Sequence, residues 1–168
     1  EYYLKSLEIR KSVFGDNHSA IATSCNHIGS IYGKQGEYKK ALEYYFKALE
    51  IRKSVERDNH PAIATSCNDI GLVYENQGEY EKALEYYLKS LEIRKSVFGD
   101  NHPETAASYN NIGFIYGEQG EYKKALEYYF KSLEINKSVY EDHHPATAAC
   151  YNNIGSVYYT QKEYKKAL

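Results

Sequence analysis

Four histidines stand where chemistry would first be sought. His18, His60, His102 and His144 each follow an aspartate by two residues (Asp16, Asp58, Asp100 and Asp142), and an Asp-x-His spacing can serve a metal or an acid–base pair. Packed helices lie about 8–10 Å apart, so imidazoles on successive helices cannot share one metal through bonds of about 2 Å. The spacing therefore predicts polar residues that close a loop and cap a helix. Cysteine chemistry is no better supported. Cys25, Cys67 and Cys150 form no C-x-x-C pair, and Tyr109 and Tyr151 continue the spacing of 42 residues that separates Cys25 from Cys67. A position that takes either a thiol or a phenol ring reads as a buried hydrophobe, not a ligand or a disulfide partner. Free thiols fit a reducing, cytoplasmic compartment. No serine, cysteine or carboxylate is matched with a base, so neither enzymatic activity nor a cofactor nor a metal is expected.

Charge narrows the partners. With 21 basic and 23 acidic residues the chain has a net charge of −2, and it lacks the basic stripe of a nucleic-acid binder. Lys39, Lys40, Glu43, Lys47 and Glu50 alternate in sign and include an i,i+4 pair, Glu43 with Lys47, which suits a solvated helix face. No apolar run approaches the ~20 residues of a membrane span. The sequence opens without an initiator methionine and without a signal-peptide core, so a fragment of a longer protein is expected.

The elements that would position these residues follow from one period. The 168 residues divide into four copies of 42, at 1–42, 43–84, 85–126 and 127–168. Tyrosine fills four equivalent positions in every copy, such as Tyr2, Tyr44, Tyr86 and Tyr128, which accounts for 16 of the 20 tyrosines as a repeated packing scheme. Ala106, Tyr109, Ile112, Gly113 and Tyr116 recur at three-to-four-residue spacing and predict a helix over Pro103–Glu118. Pro61, Pro103 and Pro145 stand at its first turn, where a missing N–H costs nothing. A second stripe, Tyr122, Ala125, Tyr129 and Leu133, predicts another helix over 121–140, and Gly36, Gly78 and Gly120 mark the turn between the two. Lys162 replaces that glycine in the last copy and predicts a strained turn. Helix pairs with no strand pattern predict an all-α solenoid.

The stretch Tyr109-Asn110-Asn111-Ile112-Gly113-Phe114-Ile115-Tyr116, followed by Gly120, Ala125, Tyr129 and Ser132, resembles the tetratricopeptide repeat (TPR) in its 42-residue, kinesin-light-chain-like form. The resemblance covers all four copies and implies a right-handed superhelical solenoid of antiparallel helix pairs. It also implies a protein-interaction scaffold whose concave face, on the first helix of each pair, holds an extended or short helical peptide. Carried onto this sequence, that face comprises Asn26, Asn68, Asn110 and Asn152, with Ser30, Leu72, Phe114 and Ser156 around them. Gly33, Glu75, Gly117 and Tyr159 come next, and Lys34, Asn76, Glu118 and Thr160 form the rim.

An asparagine amide both donates and accepts, so a ladder of four could grip peptide backbone of any sequence. The opposing expectation is that these amides only brace the neighbouring helix. Lys34 is the sole base among these positions, which argues against a clamp for a terminal carboxylate, whereas Leu72 and Phe114 suit an apolar anchor. Two other readings stand beside peptide binding: a structural superhelical spacer, and a ligand-sensing array attached to an enzyme or NTPase module. The repeat is cut out of phase with the helix pairs. An opening helix over 1–14 should therefore expose Tyr3, Leu7 and Val13, and its join with Leu168 predicts head-to-tail stacking of molecules in a crystal.

Overall fold

The computed structural model describes residues 1–56, 58–140 and 143–168, so Asp142 lies outside the described residues. Among these there are α-helices and no strands: α1 (Tyr2–Phe14), α2 (Ser19–Lys34), α3 (Tyr38–Val55), α4 (Pro61–Asn76), α5 (Tyr80–Phe98), α6 (Pro103–Glu118), α7 (Tyr122–Tyr140), α8 (Pro145–Thr160) and α9 (Tyr164–Ala167). Two compact units divide the chain, Glu1–Ile93 and Arg94–Leu168.

Each first helix of a pair begins in the same way. The histidine before it has extended backbone, and its Nδ1 accepts the N–H two residues on: Ala20 at 3.1 Å, Ala62 at 3.2 Å, Glu104 at 3.1 Å and Ala146 at 3.1 Å. The Asp-x-His spacing thus yields helix caps, which satisfy a backbone donor that the helix itself leaves orphaned. Aromatic rings hold three of these imidazoles flat: Phe14 on His18, Phe98 on His102 and Tyr140 on His144, with centroids 3.9–4.5 Å apart. In the second copy Glu56 takes the ring's place, its carboxylate 3.5 Å from His60 Nε2.

The same helices end in a Schellman turn. In the first copy Glu37 N–H donates to Tyr32 C=O at 2.9 Å and Gly36 N–H to Gly33 C=O at 3.0 Å, with Gly36 at φ +76°. Lys162 makes the same turn in the last copy at φ +62°, the only non-glycine with positive φ among the described residues. A Cβ in that region costs about 1–2 kcal/mol. Lys162→Gly is therefore expected to raise the hydrogen-exchange protection of the Tyr164–Ala167 amides about 3–5-fold, once glycine's own entropy cost is offset. The exposed lysines after the turn are engaged rather than free. Lys40, Lys82, Lys124 and Lys166 pair with Glu37, Glu79, Glu121 and Glu163, and lie 4.9–5.4 Å from the ring centroids of Tyr32, Tyr74, Tyr116 and Tyr158.

In the first unit, Leu7, Ile21, Ala22, Cys25, Ile28, Ala48 and Ile51 form one core cluster, and Ala41, Tyr45, Leu49, Ile63, Cys67, Ile70 and Val73 form the next. The second unit is centred on Ala125, Tyr129, Leu133, Cys150, Ile154 and Val157. All three cysteines are free and buried, and burial pushes the Cys25 and Cys67 thiols up. Leu7 departs from expectation. Tyr3 and Val13 are exposed as predicted, but Leu7 is only 7% exposed because α1 lies on α2 and turns this one residue into the first cluster.

One contact fixes each pair. The ring of Tyr45, Tyr87 or Tyr129 packs against Gly29, Gly71 or Gly113: an added Cβ would be tight at 3.1 Å from Tyr45 and would collide at 2.7 Å from Tyr87 and 2.9 Å from Tyr129. Burial, reinforced by Asp69 and opposed by a hydrogen bond with Ser30, pushes the Tyr45 phenol up to about 12. Tyr87 is shifted in the same direction by burial and by Glu75. Between pH 10 and pH 12 the unfolded chain therefore loses a proton that folded Tyr45 keeps. Stability is complete below pH 10 and falls as pH rises to 12, by about 2–3 kcal/mol from Tyr45 alone. Urea unfolding at pH 9 and pH 12 measures this, with Tyr45→Phe expected to reduce the loss.

A second recurring contact joins successive pairs. Arg10 Nη1 donates to Ala20 C=O and Ser24 Oγ, both at 3.0 Å. Arg52 does the same to Ala62 C=O at 2.7 Å and Ser66 Oγ at 2.5 Å, and Arg94 to Glu104 C=O at 3.2 Å and Ser108 Oγ at 2.8 Å. Arg52 and Arg94 are buried, so each carries a charge into the interior, met by these acceptors and, for Arg94, by the Glu104 carboxylate 3.0 Å from its Nη2. The last copy lacks both partners, with Asn136 for the arginine and Cys150 for the serine.

Candidate recognition groove

The predicted groove residues sit on the first helices of the pairs. In the first unit α2 carries Asn26, Ser30, Gly33 and Lys34, and α4 carries Asn68, Leu72, Glu75 and Asn76. Leu72 is 45% exposed, Lys34 and Asn76 are exposed, and Asn76 Nδ2 donates to Leu72 C=O at 2.9 Å. Glu75 is half-buried and accepts the Tyr87 hydroxyl at 2.7 Å, which ties this rim carboxylate to the core ring on Gly71.

The second unit brings five predicted residues around one concavity. Phe114, Gly117 and Glu118 from α6, with Ser156 and Thr160 from α8, line a cavity of about 340 Å³. Tyr122, Tyr129 and Asn153 line it as well. Phe114 is 39% exposed, an apolar surface beside a carboxylate and several hydroxyls. Thr160 Oγ1 donates back to Ser156 C=O at 2.9 Å, which fixes that side of the rim. Asn152, Ser156 and Tyr159 line a separate, open depression with Tyr151 and Tyr164, whose ring meets Tyr159 edge-on at 5.6 Å.

The asparagines do something the sequence left open. Asn26 Nδ2 donates to Asp69 Oδ2 at 3.1 Å, and Asn153 Nδ2 donates to Asn110 Oδ1 at 2.7 Å. In both cases the invariant asparagine meets the residue that follows the equivalent asparagine on the next first helix, so two of the four amides brace α2 to α4 and α6 to α8. Asn26 Oδ1 is buried and has no hydrogen-bond partner. Asn68 is half-buried, and Asn152 is exposed. The bracing partners, Asp69 and Asn153, were missed. The available signal was that the position after each asparagine is polar in all four copies (His27, Asp69, Asn111, Asn153). Tyr129 was read as packing only, yet the ring that seats on Gly113 also walls the cavity.

Among the described residues no three His, Cys, Asp or Glu side chains come together as metal ligands, and no helix is long and apolar enough to cross a membrane.

The chain belongs to the tetratricopeptide repeat family: the family model matches residues 1–54, 23–95, 61–138 and 113–168, and so the whole length. Among solved structures it is similar to BtubC (BKLC) from P. vanneervenii, at 23% identity and a TM-score of 0.87, covering 98% of this chain and 66% of that one. It is also similar to the Podosopora anserina protein described as kinesin light chain nearly identical TPR-like repeats, at 19% identity and a TM-score of 0.82, over 98% of this chain and 78% of that one. The apo form of RapI is matched at 25% identity and a TM-score of 0.82, over 98% of this chain and 44% of that one. This chain thus spans two-thirds of BtubC or less, and under half of RapI. No curated protein sequence matches it.

Proposed function

We propose that this chain is a protein-interaction scaffold that docks a peptide segment of its partner against the concavity between α6 and α8. Phe114 carries the proposal: a large ring, 39% exposed, lining a cavity whose other walls supply hydroxyls and an amide and whose one charged lining residue is Glu118. Repeat arrays present such concave surfaces to extended ligands, and an aromatic anchor in a partly desolvated pocket is where binding energy concentrates. The complementary segment would place an apolar side chain on Phe114 and a donor or cation near Glu118. Lys34 is the only predicted base and lies in the other unit, so a ligand with a terminal carboxylate is not the match here.

A peptide-array screen with the full chain tests this. Binders found for the unaltered chain are expected to lose about 10–100-fold in affinity with Phe114→Ala, about 1.4–2.8 kcal/mol. Glu118→Gln should weaken the cationic binders selectively. Binding that survives both changes removes the α6–α8 groove as the site. A screen that yields no binder leaves the spacer reading in its place.

A further inference from the structure

We propose that a second cavity in the last copy is a receptor for a guanidinium group brought by another molecule, the arginine side chain of a polypeptide being the chemical class that fits. Three copies hold their own arginine at this place: Arg10, Arg52 and Arg94 each donate to the carbonyl of the residue just inside the next first helix and to a serine one turn further on. In the last copy both sides of this contact change together. Asn136 replaces the arginine, and Cys150 replaces the serine.

The shorter side chain leaves room. A cavity of about 270 Å³ lies between α6, α7 and α8, and Ser132, Asn136, Tyr140, His144, Ala146 and Cys150 are among the residues that line it. An apolar cavity of ~150 Å³ accommodates benzene, so the planar four-atom guanidinium fits with space for its stem. Part of the lining is hydrogen-bonded: Asn136 Nδ2 donates to Cys150 Sγ at 3.4 Å and to Ser132 Oγ at 3.5 Å. With its amide nitrogen directed there, Asn136 supplies its oxygen as an acceptor. Ala146 C=O occupies the position from which Ala20, Ala62 and Glu104 accept the internal arginines. Tyr140, one face of whose ring is stacked on His144, also lines the cavity and offers its remaining aromatic surface to a cation. A carbonyl and a hydroxyl are the contacts common to the three internal guanidinium groups, to which Arg94 adds the Glu104 carboxylate 3.0 Å from its Nη2.

This inference does not depend on peptide docking at Phe114, and its test uses no peptide. Methylguanidinium chloride is titrated into the full chain, with side-chain and backbone amide shifts followed by NMR and methylammonium chloride as the control at equal ionic strength. Saturable shifts centred on Ser132, Asn136, Ala146 and Cys150 are expected, with half-saturation at about 1–10 mM, as suits so small a ligand. Methylammonium should give at least about a tenfold weaker response, since a point charge lacks the planar fork. Asn136→Arg with Cys150→Ser restores the pair of the other copies and should abolish the response. No saturable shift up to about 50 mM overturns the proposal, as does an equal response to methylammonium or an unchanged response in the double variant. Should that variant fail to fold, the comparison of the two cations on the unaltered chain decides alone.

Discussion

Gly71→Ala lowers stability by up to about 2 kcal/mol, although alanine is the better helix former. A Cβ at this position would lie 2.7 Å from Cδ1 and 2.8 Å from Cε1 of Tyr87, well inside contact distance. The ring cannot retreat: Tyr87 is 1% exposed, and its hydroxyl is held by Glu75. Either α4 and α5 separate or the ring leaves its rotamer, and overpacking of this kind costs about 1–3 kcal/mol after relaxation. Helix propensity works the other way, by about 1 kcal/mol, so the net loss is up to about 2 kcal/mol. Gly33→Ala provides the control, because its Cβ would meet only Ala41 Cβ at 3.9 Å. That variant should keep its propensity gain and be neutral or slightly more stable. Urea midpoints for the two variants at a shared slope make the measurement. Equal midpoints would show that the glycine is not there for the ring.

The same contact shows what the sequence makes legible. Glycine and tyrosine at fixed offsets, proline at the first turn and glycine at the last all act within a few residues of themselves, so period and propensity locate them. The predicted bounds of α6 are those observed, and α7 begins one residue later than expected. Leu7 was misread because burial on α1 depends on how that helix rolls against α2, which its own spacing does not determine. The role of the asparagines stayed open in the sequence for a related reason. Whether Asn110 faces a ligand or Asn153 depends on the rotation of α6 against α8, a relation between copies and not within one. Five groove positions do converge on one cavity, because the face they share follows from helical geometry alone. The buried arginines were not noticed at all, since Arg52 and Arg94 look like surface charges until the acceptors above them are seen.

Arg52→Ala is expected to cost about 2–4 kcal/mol, and its dependence on Ser66 is the more telling result. Arg52 is 8% exposed and Ser66 is fully buried, so removing the guanidinium strips Ala62 C=O and Ser66 Oγ of a charged donor and opens a void where the stem lay. A hydrogen bond to a charged group contributes about 1.5–3 kcal/mol, and an orphaned buried acceptor costs about 1–3 kcal/mol. Ser66 can recover part of this by turning back to its own helix, as Ser24 does to Ala20 C=O and Ser108 to Glu104 C=O. The last copy supplies a different solution, an asparagine facing a cysteine, 3.4 Å apart. Arg52→Asn combined with Ser66→Cys should therefore cost less than the sum of the two single changes, by about 0.5–2 kcal/mol, because the new amide and thiol satisfy each other. A double-mutant cycle by urea unfolding reads this coupling directly. Strict additivity would mean that Asn136 and Cys150 arose as independent changes, each tolerated by itself. A coupling of the expected sign would make them one unit, in which the loss of the internal guanidinium and the gain of the softer acceptor belong to the same event.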